Sequence, residues 1–394
     1  MKSKILIVPV MAAIMMFAAV GPGHALSPYV PNYFSYDPEW TGDLPKFGGY
    51  VDVYLTYSQQ TDGQYNGLEA EHVAFTVDRA ELYLQHRVTD WADGYFEVSI
   101  TAFDETDISL DEAWLRVVIP WGNGVTLLGG VYDVPIGIGA NENIDIWNWQ
   151  FKMVNLLVAP WSNTGILAEY EIGFANLNLW IGNGWGYSEA YGVNSPLYGR
   201  ANLDTEMLYG GRIGFAPNEK FDWGISTVWA NRDPGSVGLD LPWESQLMVD
   251  MDFEWLDLPD FLGALNFELW WMEITDFPTY NFEDTSELEN SQAYGAVVQL
   301  NFATPMDEMS VSIGYEYLWE ENGIVFGVDP NTDEATSAQT RQSVEVSPIW
   351  AIGDHVIVAL TWRSDWSTKS VFTNSDGNPT DFAWLTAWEW YYYF

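Results

Sequence analysis

Four histidines, at positions 24, 72, 86 and 355, are all the imidazole this 394-residue chain holds. A nucleophilic hydrolase needs such a group beside an activated serine or threonine. The chain shows no Gly-x-Ser-x-Gly elbow and no His-Glu-x-x-His pair. Cysteine is absent, which excludes disulfide staples and Cys-based zinc, iron–sulfur or c-type haem sites. Asn374-Ser375-Asp376-Gly377-Asn378 has a faint likeness to a calcium loop but lacks the full ligand spacing, so it reads as a plain turn. The expectation is no enzyme, no metal and no cofactor.

The chemistry that remains is electrostatic. Asp250, Asp252 and Glu254 alternate with Val249, Met251, Phe253 and Trp255, the period-two pattern of a strand with one acidic and one apolar face. By the same alternation Asp52, Glu97, Glu112, Asp222 and Glu316 fall on polar faces, and Arg116, Arg212, Arg341 and Arg363 share such faces. Rings of carboxylates around an aqueous passage favour cations, and opposed acidic and basic rows would set a transverse field. A plainer account is that these charges face water because lipid excludes them. With 14 Lys and Arg against 56 Asp and Glu, the net charge is −42. A nucleic-acid surface needs clustered basic residues, so that function is excluded. Salt-adapted exported proteins also carry excess acid, so the charge alone does not establish cation transport.

Strands must carry these faces. Aromatic residues make up 16% of the chain, too many for a disordered acidic tail. No apolar run long enough for a spanning helix follows the N-terminal segment. Alternating segments are read at about 46–57, 71–87, 93–103, 108–119, 124–132, 164–171, 175–184, 206–216, 220–231, 245–256, 261–274, 291–303, 309–319, 340–350, 354–364 and 382–394. Aromatics gather near several segment ends, and short connections alternate with long ones along most of the chain. Both are features of a membrane barrel with short periplasmic turns and longer outer loops. An open edge is too costly in lipid, so the sheet must close. The expected fold is all-β: a closed antiparallel transmembrane β-barrel of about 16 strands.

Lys2 and Lys4, the apolar stretch Ile5 to Val20 and Gly23-His24-Ala25 read as a cleavable export signal over 1–25. Residues 26–45 carry four prolines and read as a periplasmic N-terminal extension, leaving 46–394 for the barrel. The third outer connection, Val134 to Asn163, is expected to fold inward, which would bring Glu142, Asp145 and Lys152 to a constriction.

Local motifs over about 46–187 resemble those of the OmpL-like β-barrel porin family. They include Gly48-Gly49-Tyr50-Val51-Asp52-Val53-Tyr54, Asp78-Arg79-Ala80-Glu81-Leu82-Tyr83-Leu84 and Leu110-Asp111-Glu112-Ala113-Trp114-Leu115. Gly129-Gly130-Val131-Tyr132-Asp133-Val134-Pro135-Ile136-Gly137, Trp147-Asn148-Trp149, Pro160-Trp161-Ser162-Asn163-Thr164-Gly165 and Gly182-Asn183-Gly184-Trp185-Gly186 continue the likeness. The resemblance implies passive passage of small hydrophilic solutes through a bacterial outer-membrane barrel, without catalytic residues, and suggests a homotrimer. The C-terminal strand, with Trp390, Tyr392 and a terminal Phe394 on one face, resembles the assembly signal read by the outer-membrane assembly machinery. Expected partners are outer-membrane lipid and lipopolysaccharide, that machinery, and small solutes or cations, but no nucleic acid. A structural barrel that sheathes an electron-transfer partner or acts as an adhesin, without free conductance, is the alternative.

Overall fold

Alternation on this scale leaves the backbone one satisfactory solution in lipid, a sheet whose every strand has two partners. The computed structural model describes residues 45–58, 73–102, 106–136, 162–183, 207–218, 220–231, 245–256, 258, 262–278, 288–306, 308–321, 338–353, 355–368, 372–373 and 379–393. The first half of the wall comprises β1 (Lys46–Ser58), β2 (Val73–Thr89), β3 (Ala92–Ala102), β4 (Thr106–Ile119), β5 (Val125–Asp133), β6 (Ser162–Ile172), β7 (Ala175–Asn183) and β8 (Met207–Asn218). The second half comprises β9 (Phe221–Asn231), β10 (Ser245–Leu256), β11 (Leu262–Pro278), β12 (Leu288–Ala303), β13 (Met309–Glu320), β14 (Gln339–Ile352), β15 (Val356–Ser367) and β18 (Phe382–Tyr393). Each pairs antiparallel with its neighbours in sequence, and β1 pairs with β18 to close a sixteen-stranded barrel. The two-residue strands β16 (Phe372–Thr373) and β17 (Pro379–Thr380) form a small hairpin between β15 and β18.

The period-two faces sort as the alternation requires. In β10, Gln246, Met248, Asp250 and Asp252 are buried, whereas Val249, Met251 and Trp255 are exposed. Apolar residues exposed on a closed barrel face outward, where lipid accepts them. In β18, Trp388 and Tyr392 are exposed while Ala387, Glu389 and Tyr391, on the other parity, are buried. The turns joining β2–β3, β4–β5, β6–β7 and β14–β15 are short. Gly173, between β6 and β7, adopts a φ of 64° that L-residues with side chains avoid.

Two departures from the sequence-based spans have local causes. β11 continues four residues past 274 to Pro278, through a register shift between Ile274 and Phe277. Such a bulge interrupts the period and hides the extension. The β16–β17 hairpin is too short to show any period at all. Residues 1–44, which include the expected signal segment and most of the extension, lie outside the described residues.

Candidate functional site

Among the described residues, the inner face carries three ionic clusters. On the wall formed by β3 and β4, Arg116 grips Asp93 with two guanidinium nitrogens at 2.6–3.1 Å. Glu112, two residues earlier on β4, accepts the indole N–H of Trp114 at 3.3 Å and the backbone N–H of Asp133 at 3.1 Å. Glu97 accepts the phenol O–H of Tyr95.

The second cluster spans β8 to β10. Arg212 donates from both terminal guanidinium nitrogens to Asp252, one of them at 2.7 Å. It also lies 3.6 Å from Asp222 and donates to Ser226 at 3.2 Å. Arg212 and Asp252 are two strands apart, and Gly224 on β9, register partner of Asp252, is what lets them meet. A Cβ at Gly224 would stand 2.3 Å from the guanidinium carbon, so the glycine leaves the hollow that the arginine crosses. Asp250 and Glu268 lie buried on the adjoining positions of β10 and β11.

The third cluster joins β13, β14 and β15. Arg363 donates to Glu316 at 3.0 Å, Asp365 at 3.2 Å and Glu345 at 3.5 Å, and Arg341 lies 3.4 Å from Asp365. Arg363 is 3% exposed and Asp365 fully buried. Ser343 and Ser347 donate to Glu316 and Glu345 at 3.2 and 3.3 Å. Charges this far from water are held by mutual pairing.

The arginines therefore do not line up against the acids. Each sits among carboxylates of its own or neighbouring strands, so the expected opposition of separate acidic and basic rows is replaced by interleaved pairs. Among the described residues, carboxylates outnumber guanidiniums on the same faces, which also carry Asp52, Glu81, Glu97, Glu112, Asp250, Glu254, Glu268 and Glu389. Asp52 stands in register between Arg79 and Tyr391.

Large inward rings are accommodated by a device that the glycines supply. Tyr83 lies over Gly48, Trp180 over Gly210 and Trp270 over Gly295, each glycine being the direct cross-strand partner of the ring. A Cβ added at these glycines would fall 2.0–2.6 Å from the ring atoms. The rings are thus inlaid in the wall. Tyr83, Tyr95 and Trp114 follow one another across β2, β3 and β4 as a stacked series, with centroids 6.0 and 5.3 Å apart.

Of the sequence-predicted residues, Asp52, Glu97, Glu112, Arg116, Arg212, Asp250, Asp252, Glu254, Arg341 and Arg363 all fall on inward positions, as do Asp222 and Glu316. Trp390 and Tyr392 face outward. Glu142, Asp145, Lys152 and Phe394 lie outside the described residues. Asp93, Glu345 and Asp365 were missed, although each shares parity with a residue already singled out (Glu97, Arg341 and Arg363). Applying the alternation rule to whole strands would have found them.

Comparison with known proteins agrees with this geometry. Residues 45–388 match the family described as "Putative beta-barrel porin-2, OmpL-like". No curated protein sequence matches the chain. Among solved structures, the anion-selective porin from Comamonas acidovorans is similar at 9% identity, covering 89% of this chain and 99% of its own, with a TM-score of 0.62. The outer membrane channel DcaP of Acinetobacter baumannii is similar at 9% identity, 92% and 100% coverage and a TM-score of 0.58. The trimer form of in-vitro folded OmpT of Vibrio cholerae gives 11% identity, 89% and 99% coverage and 0.56. Identities this low speak to the fold alone. The family match spans nearly the whole barrel, and with it the chain belongs to the OmpL-like β-barrel porins of the bacterial outer membrane.

Proposed function

We propose that this porin passes small hydrophilic solutes by diffusion and prefers cations. The observation that carries the preference is the excess of inward carboxylates over the guanidiniums interleaved with them, which leaves a negative potential on the inner face. The porin from Comamonas acidovorans, similar in fold, is anion-selective, so in this reading the inner residues and not the barrel set the sign of selectivity. Val134 and Ile136, just beyond β5, belong to the same buried apolar cluster as Tyr83, Tyr95, Trp114 and Tyr132. Their burial supports an inward course for the third connection. Self-association, as in the trimer form of OmpT, is part of this reading.

A planar-bilayer reversal potential under a KCl gradient tests it. The refolded protein gives stepwise conductance with a cation-selective potential, and Asp250→Asn with Glu254→Gln moves that potential toward zero. A potential near zero or of anionic sign in the unaltered protein refutes the preference. The deep burial of inward residues such as Asp52, Asp250 and Asp365 favours a second reading, a filled or partner-sheathing barrel. A heat-modifiable folded barrel without conductance would establish that one instead.

A further inference from the structure

At the end of the barrel that carries the short turns, the outward wall of β14, β15 and β18 holds a cavity of about 580 Å³. That volume lies within the ~300–1,000 Å³ common for small-molecule sites. Its two sides are indoles. Trp350 on β14 and Trp388 on β18 stand two strands apart, a backbone separation of about 10 Å, and Val358 and Leu360 of β15 lie between them. The hollow follows from side-chain size in register. Val358 shares outward parity with Leu360, which is 41% exposed, yet is itself only 9% exposed. Its direct cross-strand partners are Trp350 and Trp390, so a small side chain is sunk between two large ones. Trp390 stacks on Trp388 with centroids 5.0 Å apart, which steadies that side of the slot. Beside it, the pairing of β14 with β15 is interrupted between Val346–Trp362 and Ile349–Ala359, where Pro348 has no N–H to give.

The mouth of the slot has a chemistry of its own. It is built where the β12–β13 and β14–β15 turns meet. The backbone N–H of Ala351 donates to the carbonyl oxygen of Glu308 at 2.9 Å, which ties one turn to the other and fixes Glu308 at the rim. Among the described residues that line the cavity, Glu308 is the one ionisable group, and it is exposed. Short turns mark the periplasmic side of such a barrel, and tryptophans gather at headgroup depth. The slot therefore opens among the headgroups of the periplasmic leaflet and runs into hydrocarbon. Basic pockets recognise anionic headgroups; this rim has the opposite sign. An apolar slot ending on a carboxylate complements a lipid whose headgroup ends in an ammonium, and repels one whose headgroup is purely anionic.

We propose that this slot binds one phospholipid of the ethanolamine type, with an acyl chain held between Trp350 and Trp388 and the headgroup ammonium on Glu308. The site lies on the lipid-facing side of the wall and is independent of whether the barrel conducts.

The test uses the full chain refolded into vesicles of equal parts phosphatidylethanolamine and phosphatidylglycerol, released in mild detergent, with retained lipid counted by native mass spectrometry. The unaltered protein is expected to keep phosphatidylethanolamine over phosphatidylglycerol by about tenfold or more. Leu360→Trp fills the slot and is expected to cut retention by about tenfold, whereas Leu269→Trp, on the outward face of β11, leaves it unchanged. Glu308→Gln, at an exposed turn position, is expected to keep the acyl chain and bring the ratio of the two lipids near one, which keeps the proposal testable if Leu360→Trp fails to fold. No retained phospholipid, equal retention of both lipids by the unaltered protein, or indifference to both Leu360→Trp and Glu308→Gln overturns the proposal. So does a second copy of the chain on this face, seen as an oligomer that Leu360→Trp disperses while no lipid is retained. Selective retention by a barrel that does not conduct upholds the lipid site and tells against the pore; conductance without retention does the reverse.

Discussion

At the residue scale, Arg363 is the hub of the inner face. It binds three carboxylates, Glu316, Glu345 and Asp365, from three strands. Removing one partner of a buried ionic group leaves the others uncompensated, at a cost of roughly 3–5 kcal/mol. Arg363→Ala is therefore expected to lose about that much stability in urea titrations of the folded barrel. A loss under 1 kcal/mol would mean that water reaches the carboxylates. The arginine's inward direction was legible from alternation with Leu360 and Trp362. Its partners were not, because alternation assigns a face and says nothing of the neighbour two strands away. Arg212 makes the point again: its link to Asp252 depends on Gly224 of the intervening strand, a relation that only the register displays.

At the element scale, the strands were readable where acids and apolar residues alternate without interruption. β10 spans Ser245–Leu256, as the pattern of Asp250, Asp252 and Glu254 against Val249, Met251 and Phe253 dictates. β11 outran its reading because a bulge breaks the period. Glycine was the least legible component, since the same residue serves as turn, hollow and close contact. Gly130 on β5 shows the close contact at its most severe. Its φ is 143°, and an added Cβ would stand 2.1 Å from the carbonyl oxygen of Ala113. No side chain can move aside there, and the backbone conformation itself costs about 1–3 kcal/mol for a residue with a Cβ. Gly130→Ala should destabilise the barrel by at least that amount. Gly94→Ala, whose nearest atom is a carbonyl oxygen at 3.6 Å, should change it by less than 0.5 kcal/mol, within the range of ordinary surface substitutions. Equal effects from the two in a thermal-unfolding assay would contradict the geometry.

At the scale of the whole molecule, sixteen strands make a barrel of the width class that leaves an aqueous channel unless something fills it. The inlaid rings preserve that width, because Tyr83, Trp180 and Trp270 occupy the space of absent side chains rather than the interior. In the proposed reading, the third outer connection would then set the conductance. Deleting residues 140–155 is expected to raise single-channel conductance, and an unchanged conductance would place that segment outside the passage. Strand number and closure followed from alternation and from the cost of an open edge in lipid, so the fold was legible nearly to its ends. Which residues face the passage followed from alternation as well; how they pair did not, because pairing is a product of register. The pairing of β1 with β18, from Tyr50 with Tyr393 to Ser58 with Leu385, also has a consequence in time. The first strand waits for the last. At about 5–20 residues per second, roughly 17–70 s of synthesis separate the two, and throughout that interval and the export that follows no arrangement of the wall lacks an exposed edge. Maturation of this protein is thus a matter of custody, in which the unfinished sheet must be kept from pairing with any strand but its own.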